Sequence, residues 1–173
     1  VLRIDKDIMN EMYEGDENDF RLAYWFSDMV DPDNNSYTHM IKYMDVDDLD
    51  TKTEISKGYT YIMPVLRVSE VYLIAAECCP DPKVGRDYLN AVRSVRNVKN
   101  VADEVDLTTV IEQEFRREFL GEGQLFWLYK RKGKAEIISG ETQGKVVSME
   151  ERFYLFDLPQ SERDYREENG IGN

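Results

Sequence analysis

Residues 64–77 read PVLRVSEVYLIAAE, an apolar run that is interrupted by three charges. The apolar residues recur at helical spacing and cover nearly the whole circumference, so the pattern predicts a buried helix over residues 65–79. Arg67, Glu70 and Glu77 would then lie among apolar side chains, where a charge needs an ion-pair partner. We therefore expect these three residues to form structural ion pairs with neighbouring helices.

A second helix begins within three residues and must fold back on the first. Pro80 ends the first helix, Asp81 is a suitable N-cap, and Pro82 fits the first turn of the next helix. Together the two helices span roughly 34 residues, the length of one tetratricopeptide unit. In the second helix the spacing predicts Tyr88, Leu89, Val92 and Val95 on the inner face and Arg86, Arg93 and Arg96 on the other faces.

A further pair of helices is predicted towards the C-terminus. Asp106 can cap a helix whose apolar residues repeat through Phe119, and Gly121 and Gly123 end it. An aromatic-rich helix over residues 125–132 follows and stops at a glycine. The predicted fold class is therefore mainly α, with tetratricopeptide-like hairpins and a small β/loop portion.

The first 62 residues have a mixed pattern. A short helix is predicted up to Met12, and a strand over residues 19–26, where large apolar residues alternate with smaller or polar ones. Residues 31–35 read DPDNN, a strong turn signal. With short strands predicted over residues 41–44 and 59–62, this portion is expected to contain a small sheet or hairpin.

The C-terminal portion is expected to be mostly extended. Residues 153–159 predict an extended segment docked on the helices, and the charged tail over residues 162–173 is expected to be loosely ordered. The chain is thus read as a single domain or a fragment of one, with a mixed portion at 1–62, helical hairpins at 63–134, and an extended segment and tail at 135–173.

Composition excludes several classes of protein. The 173 residues include 22 basic and 35 acidic side chains, a formal charge of −13, which disfavours nucleic acid and anionic lipid as partners. No apolar run approaches the ~20 residues of a membrane-spanning helix. The adjacent Cys78 and Cys79 point in different directions on a helix, so we expect small buried apolar residues rather than a disulfide. No motif calls for a cofactor.

Glu114 and Glu118 lie four residues apart and therefore share a helix face. Paired carboxylates are what a glycosidase uses as acid and as nucleophile or base. Arginines are interleaved with them, however, among them Arg117, and nothing in the sequence predicts an apolar pocket that would keep one carboxylate protonated. The preferred interpretation is a structural ion-pair lattice of Glu114, Arg117 and Glu118.

A few other residues are of types that could contact a ligand. The aromatic rings of Tyr37 and Tyr59, both expected in loops, are weak candidates for stacking on a sugar. His39, the only histidine, is expected to be exposed and structural. Residues 31–42 begin like a calcium loop but lack the glycine and glutamate that such a loop requires, so no metal site is predicted.

Four motifs follow one another over residues 63–133. Together with Leu158–Glu162, they resemble the C-terminal half of a SusD/RagB protein. The chain departs from the family pattern at Leu125 and Leu128, where an arginine and an aspartate are common. Both charges are lost together, as in the exchange of an ion pair for an apolar contact. The motifs are residues 63–77, 88–93 and 111–119, and the group Glu122-Gly123, Lys130-Arg131 and Gly133.

That resemblance implies a protein anchored by a lipid at the outer-membrane cell surface of a Bacteroidetes-type bacterium. Such a protein captures an oligosaccharide or peptide ligand, without catalysis, for a SusC-like TonB-dependent transporter. The implied anchor, a lipidated N-terminal cysteine, is absent from this sequence. Family members are usually longer, so the chain is expected to be a C-terminal portion whose hairpins leave an apolar face for further repeats.

Two alternatives remain open from the sequence. The chain could be a helical scaffold that binds a protein partner and no small ligand. It could also be a hydrolase, provided that Glu114 and Glu118 line an open cleft. The family's ligand-contacting residues vary and lie mostly in loops, so the resemblance transfers none of them.

Overall fold

The computed structural model describes residues 3–42, 65–139 and 145–171. Within these ranges the protein is mainly helical, as predicted, with two small antiparallel sheets. The helices are α1 (Lys6–Met12), α2 (Phe20–Trp25), α3 (Val68–Cys78), α4 (Pro82–Ser94), α5 (Leu107–Glu118), α6 (Gln124–Lys132) and α7 (Gln160–Glu168). The strands are β1 (Arg3–Ile4), β2 (Phe26–Val30), β3 (Ser36–Met40), β4 (Glu136–Ile138) and β5 (Val146–Ser148).

Helices α3 and α4 form the hairpin that the sequence predicts. The Asp81 carboxylate accepts a hydrogen bond from the Lys83 N–H at 2.9 Å and so caps α4, with Pro82 as its first residue. The helices approach closely at Gly85, where an added Cβ would lie 2.8 Å from the carbonyl oxygen of Ala76. A side chain at this position would force the hairpin apart.

Helices α5 and α6 lie against this hairpin and complete the main core. Asp106 caps α5 by accepting from the N–H groups of Thr108 and Thr109, as its sequence context predicts. Gly123 and Gly133 adopt positive φ at the two ends of α6, which favours glycine at both positions. The core joins residues of all four helices and the segment after them: Leu73, Ala76, Leu89, Val92, Ile111, Phe115, Phe119, Leu128, Tyr129 and Tyr154.

The N-terminal portion contains a three-stranded antiparallel sheet in the order β1-β3-β2. Residues 31–35 turn between β2 and β3, and Phe26 pairs with Met40 at the far end of that hairpin. Phe26 and Met40 pack on Met9, Met12 and Tyr13 in a second, smaller core. The small sheet predicted for this portion is therefore present.

The predicted strand over residues 19–26 is wrong for its first part. The Asp19 carboxylate accepts a hydrogen bond from the Arg21 N–H at 2.9 Å and starts helix α2, so the strand begins only at Phe26. Six residues of alternating side chains do not distinguish one helical turn and a half from a strand. Strand β3 ends at Met40, and residues 41–42 of the strand predicted at 41–44 are not in a strand. Residues 43–44 and the strand predicted at 59–62 lie outside the described residues.

The prediction that α3 is buried all round is also wrong. Only Leu73 and Ala76 are fully buried, whereas Val68 and Val71 are 73% and 64% exposed. One side of α3 packs on α4 and α5, and its other side faces solvent. Cys78, expected to be buried, is exposed for the same reason. An uncovered apolar face of this kind is what a repeat presents to a neighbouring repeat.

Helix α4 reverses the predicted burial of several side chains. Tyr88 and Val95 are exposed, whereas Arg86 and Arg93 are buried. The guanidinium of Arg86 donates to the carbonyl groups of Ala102, Asp103 and Val105. The loop between α4 and α5 thus satisfies its carbonyl groups with the arginine, which helical periodicity does not reveal.

Residues 162–168 of the C-terminal tail are helical rather than loosely ordered. A 3₁₀ turn (Glu151–Tyr154) leads into an extended stretch over residues 155–159, and α7 follows. Glu162 and Arg166 form an ion pair four residues apart, which stabilises a helix that buries none of its residues. Sheet β4-β5 precedes this region and was not predicted.

The exposed apolar face of α3 predicts concentration-dependent association of the isolated chain. Burying apolar surface is favourable, so sedimentation velocity should show a larger species as concentration rises. Val71→Glu should shift the chain to the monomer, whereas Tyr165→Glu on α7 should leave the association unchanged. A chain that stays monomeric at all concentrations would contradict this prediction.

Candidate functional site

Two carboxylates on α5 are the centre of a buried ion-pair lattice. Glu114 and Glu118 are both 0% exposed. Glu114 accepts from Arg21 Nη2 at 2.6 Å and from Arg93 Nη1 at 2.9 Å. Glu118 accepts from Arg21 Nη1 at 3.0 Å, from Arg96 Nη2 at 2.6 Å and from Arg67 Nη2. The lattice therefore ties α2, α3 and α4 to α5.

Arg21 is the most deeply buried cation of the lattice, and sequence reasoning missed it. Its side chain is fully enclosed and also bonds both carboxylate oxygens of Asp19. The same Asp19 caps α2, so one carboxylate starts the helix and orients the guanidinium. The signal that could have revealed the pair is the Asp19-x-Arg21 spacing inside an aromatic run.

Arg117, predicted as part of the lattice, lies at its edge towards α1. It donates to the Met12 carbonyl oxygen at 2.7 Å and to Asp16 Oδ2 at 2.5 Å. Arg93 Nη2 lies 3.6 Å from the same Asp16 oxygen. The N-terminal segment is thereby attached to the helices by charged hydrogen bonds.

At the other edge, Arg67 and Lys42 meet over the ring of Trp25. Both donate to the Glu118 carbonyl oxygen and to Glu122 Oε1. Lys42 Nζ is 3.7 Å from the Trp25 ring centroid, and the Arg67 and Arg96 guanidinium carbons are 5.7 and 5.6 Å away. Burial lowers the pKa of Lys42 to about 8, although the hydrogen bond that Lys42 donates to Glu122 opposes that shift.

The environment of Glu118 favours its ionised form. Burial by itself would raise the pKa of Glu118, but the hydrogen bond and charge of Arg96 and the charges of Arg67 and Arg21 outweigh it and lower the pKa. An ionised carboxylate without accessible surface cannot receive a sugar or a water molecule. Glu114 and Glu118 therefore lack the open cleft that the hydrolase hypothesis requires.

The two other glutamates predicted in ion pairs differ from each other. Glu77 pairs with Arg131 at 2.6 Å and with Lys132 at 3.4 Å, which joins α3 to α6. Glu70 lies in the first turn of α3, where a carboxylate interacts favourably with the helix dipole. It makes no ion pair with the residues that the structure describes.

A pocket opens between the start of α3 and the end of α4, beside this lattice. Its volume is about 680 Å³. Arg67 and Arg96 reach it from the lattice, and their side chains are 14% and 27% exposed. The described residues that line it combine two cations, two hydroxyl groups, one aromatic ring and an apolar wall: Arg67, Val68, Ser69, Tyr72, Ala91, Val92, Ser94, Val95 and Arg96.

The predicted ligand-contact residues lie elsewhere. Tyr37 is on strand β3 rather than in a loop, is half-buried, and stacks with His39 at a centroid distance of 6.4 Å. His39 is buried, contrary to prediction, and its Nδ1 lies 2.8 Å from the Met29 sulfur. Tyr59 lies outside the described residues.

A second surface feature is an aromatic patch formed by Phe126, Trp127 and Phe156. Trp127 is 55% and Phe156 68% exposed, and their ring centroids are 5.8 Å apart. Phe126 packs beneath both rings and contacts the buried Tyr154. The aromatic density of residues 125–132 and 153–156 was visible in the sequence, but its exposure was not.

A scan against protein-family models matched the SusD family over residues 9–167. The chain belongs to the SusD family. Members of this family generally bind nutrients such as glycans or peptides outside the cell, without catalysis, and work with SusC-like transporters. Two further comparisons, with the curated proteins and with the solved structures, found no match.

Two searches of the described residues bear on cofactors and membranes. No group of three or more histidine, cysteine, aspartate or glutamate residues in these ranges is arranged to hold a metal ion. No helix in the same ranges is long and apolar enough to cross a bilayer. Association of the SusD family with the cell surface or outer membrane is a property of the family.

Replacing Glu118 with glutamine should destabilise the protein by about 3–5 kcal/mol, because three guanidinium groups would lose a buried counter-charge. Urea unfolding followed by circular dichroism measures the loss. Arg166→Gln, which breaks a more exposed ion pair on α7, should cost less than about 1 kcal/mol. Equal losses in the two variants would show that the lattice does not stabilise the fold.

The lowered pKa of Glu118 predicts a loss of stability in acid. The carboxylate stabilises the fold fully above the unfolded pKa of 4.5, and this contribution disappears as pH falls through the lower folded value. Below pH 4.5 the unfolding free energy of Glu118→Gln should therefore depend on pH less steeply, by up to about 1.4 kcal/mol per unit. Identical slopes in urea titrations at several pH values would disprove this contribution.

Proposed function

We propose that this protein captures an oligosaccharide nutrient, or a peptide, at the outer-membrane surface of its cell. It delivers the ligand to a SusC-like TonB-dependent transporter and performs no chemistry on it. Family membership supports nutrient binding in general, and the complete burial of Glu114 and Glu118 argues against hydrolysis by that pair.

The pocket between α3 and α4 is the observation that carries this proposal. Its volume of about 680 Å³ is within the ordinary range of small-ligand sites. The ring of Tyr72 and the side chains of Val68 and Val95 offer apolar contact to the C–H face of a sugar. Ser69 and Ser94 offer hydroxyl groups to the ligand's own hydroxyls. The arrangement therefore suits a ligand that is apolar on one side and polar on the other.

The second candidate function is a scaffold that binds a protein partner and no nutrient. The aromatic patch favours it, because clusters of exposed aromatic and aliphatic side chains are typical of protein interfaces. Trp127 and Phe156 are supported from below by Phe126, so they need little reordering on association. The same patch suits a transporter as partner, so it does not by itself separate the two functions.

Calorimetry against a panel of oligosaccharides and short peptides tests the pocket. At least one compound should bind, and Tyr72→Ala should weaken it by about tenfold, because the ligand loses an aromatic contact. Tyr165→Ala, which removes an exposed ring from α7, should bind like the unaltered protein.

The outcomes of this experiment separate the two functions. Binding that depends on Tyr72 supports nutrient capture in the pocket. If Tyr72→Ala binds the ligand as tightly as the unaltered protein, the binding site is not this pocket. Uniform absence of binding across the panel would favour the scaffold.

A further inference from the structure

The pocket between α3 and α4 differs electrostatically from the rest of this acidic chain. The chain carries 35 acidic residues and a formal charge of −13. Among the described residues that line the pocket, however, the only charged groups are the guanidiniums of Arg67 and Arg96. A ligand in the pocket therefore meets cations at the closest range.

Both arginines are oriented by the same buried carboxylate. Nη2 of Arg67 and Nη2 of Arg96 both donate to Oε1 of Glu118, so the two cations converge on one oxygen atom. Arg21 also donates to this carboxylate, through Oε2. One negative charge is thus shared by three guanidinium groups. Arg67 has a second carboxylate partner in Glu122, whereas Arg96 pairs with Glu118 alone among the described residues and is the less neutralised of the two.

Each arginine of the pair also keeps hydrogen-bonding capacity. Within the described part of the chain, Nε of Arg67 and Nη1 of Arg96 have no acceptor. Their side chains are partly accessible, and the position of each guanidinium is fixed by its bonds to Glu118. Fixed donors of this kind bind an anion without having to be ordered first.

From this geometry we propose that the pocket binds a ligand through a carboxylate group, with Arg67 and Arg96 as the donors. The inference rests on the proposed function, since it assigns the ligand class of the same pocket. Two sources of that group fit, a uronic acid in an oligosaccharide and the C-terminus of a short peptide. Tyr72 then packs on the part of the ligand next to the carboxylate.

The acidity of the whole chain does not oppose this assignment. At physiological salt, charges more than about 8 Å apart are largely screened, whereas a carboxylate in the pocket would lie in contact with the arginines. The surrounding negative charge instead opposes long polyanions that extend beyond the pocket. The preferred ligand is short and carries one or a few carboxylates.

Matched pairs of ligands test the proposal by calorimetry on the full chain. One pair is an aldobiouronic acid and its carboxyl-reduced, neutral counterpart. The other is a tripeptide with a free C-terminus and its C-terminal amide. The acid form of one pair should bind at least about tenfold more tightly than its neutral form, because charged hydrogen bonds are lost on neutralisation. The pair that shows the preference identifies the source of the carboxylate.

Variants of Arg96 locate the effect. Arg96→Gln should remove most of the preference for the acid form, and Arg96→Lys should keep part of it. Arg131→Gln, which removes an arginine paired with Glu77 outside the pocket, should keep all of it. Because the readout is a ratio of two affinities in one folded variant, partial loss of stability does not imitate the result.

Three outcomes overturn the inference. Equal binding of the acid and neutral forms would show that the carboxylate is not recognised. The proposed function would stand, because ligands would still bind. If Arg96→Gln still prefers the acid form, the carboxylate binds at a site other than this arginine pair. Absence of binding for all four probes and for the wider panel overturns the proposed function as well.

Discussion

Glu118 joins three separate segments of the described structure to α5. Its carboxylate bonds Arg21 from α2, Arg67 from the residue before α3, and Arg96 from the residues after α4, while Glu118 itself ends α5. These arginines lie 97, 51 and 22 residues away from it in sequence. A buried charge with three distant partners fixes the relative position of every element that contributes one, because each misplacement leaves a charge unpaired.

The ion pairs of Glu118 determine the positions of the charged groups that line the pocket. Arg67 and Arg96 lie at the pocket because Glu118 holds them there, so the group that stabilises the packing also positions the cations that a ligand meets. Trp25 reinforces the arrangement, since both guanidiniums and the Lys42 ammonium lie close to its ring. The packing and the proposed recognition therefore depend on the same few contacts.

Local signals in the sequence were sufficient for helices α3 to α6, but not for α2, for α7 or for the surroundings of any helix. Asp81, Asp106 and Gly133 define helix ends through short-range chemistry, and their roles were predictable. Exposure was not, because it depends on which elements lie opposite. Val68 and Val71 look like core residues until the arrangement shows that only one side of α3 is covered. The place of Arg21 in the lattice was not predicted, since its partners Glu114 and Glu118 lie more than ninety residues away.

Helix α5 packs through buried charges, whereas α6 packs through leucines. This difference raises the question of why the lattice is charged. At Leu125 and Leu128, where related sequences commonly carry an arginine and an aspartate, this chain packs leucines into the core. Apolar contacts are therefore sufficient to hold helices together here, as expected from the high desolvation cost of buried ion pairs. Packing alone does not explain charges at Glu118, Arg67 and Arg96, because apolar residues could pack there too. Apolar residues would also remove the cations from the pocket. The proposed recognition of a carboxylate is therefore a reason for charge at Arg67 and Arg96 in addition to the fixed positions that the ion pairs impose.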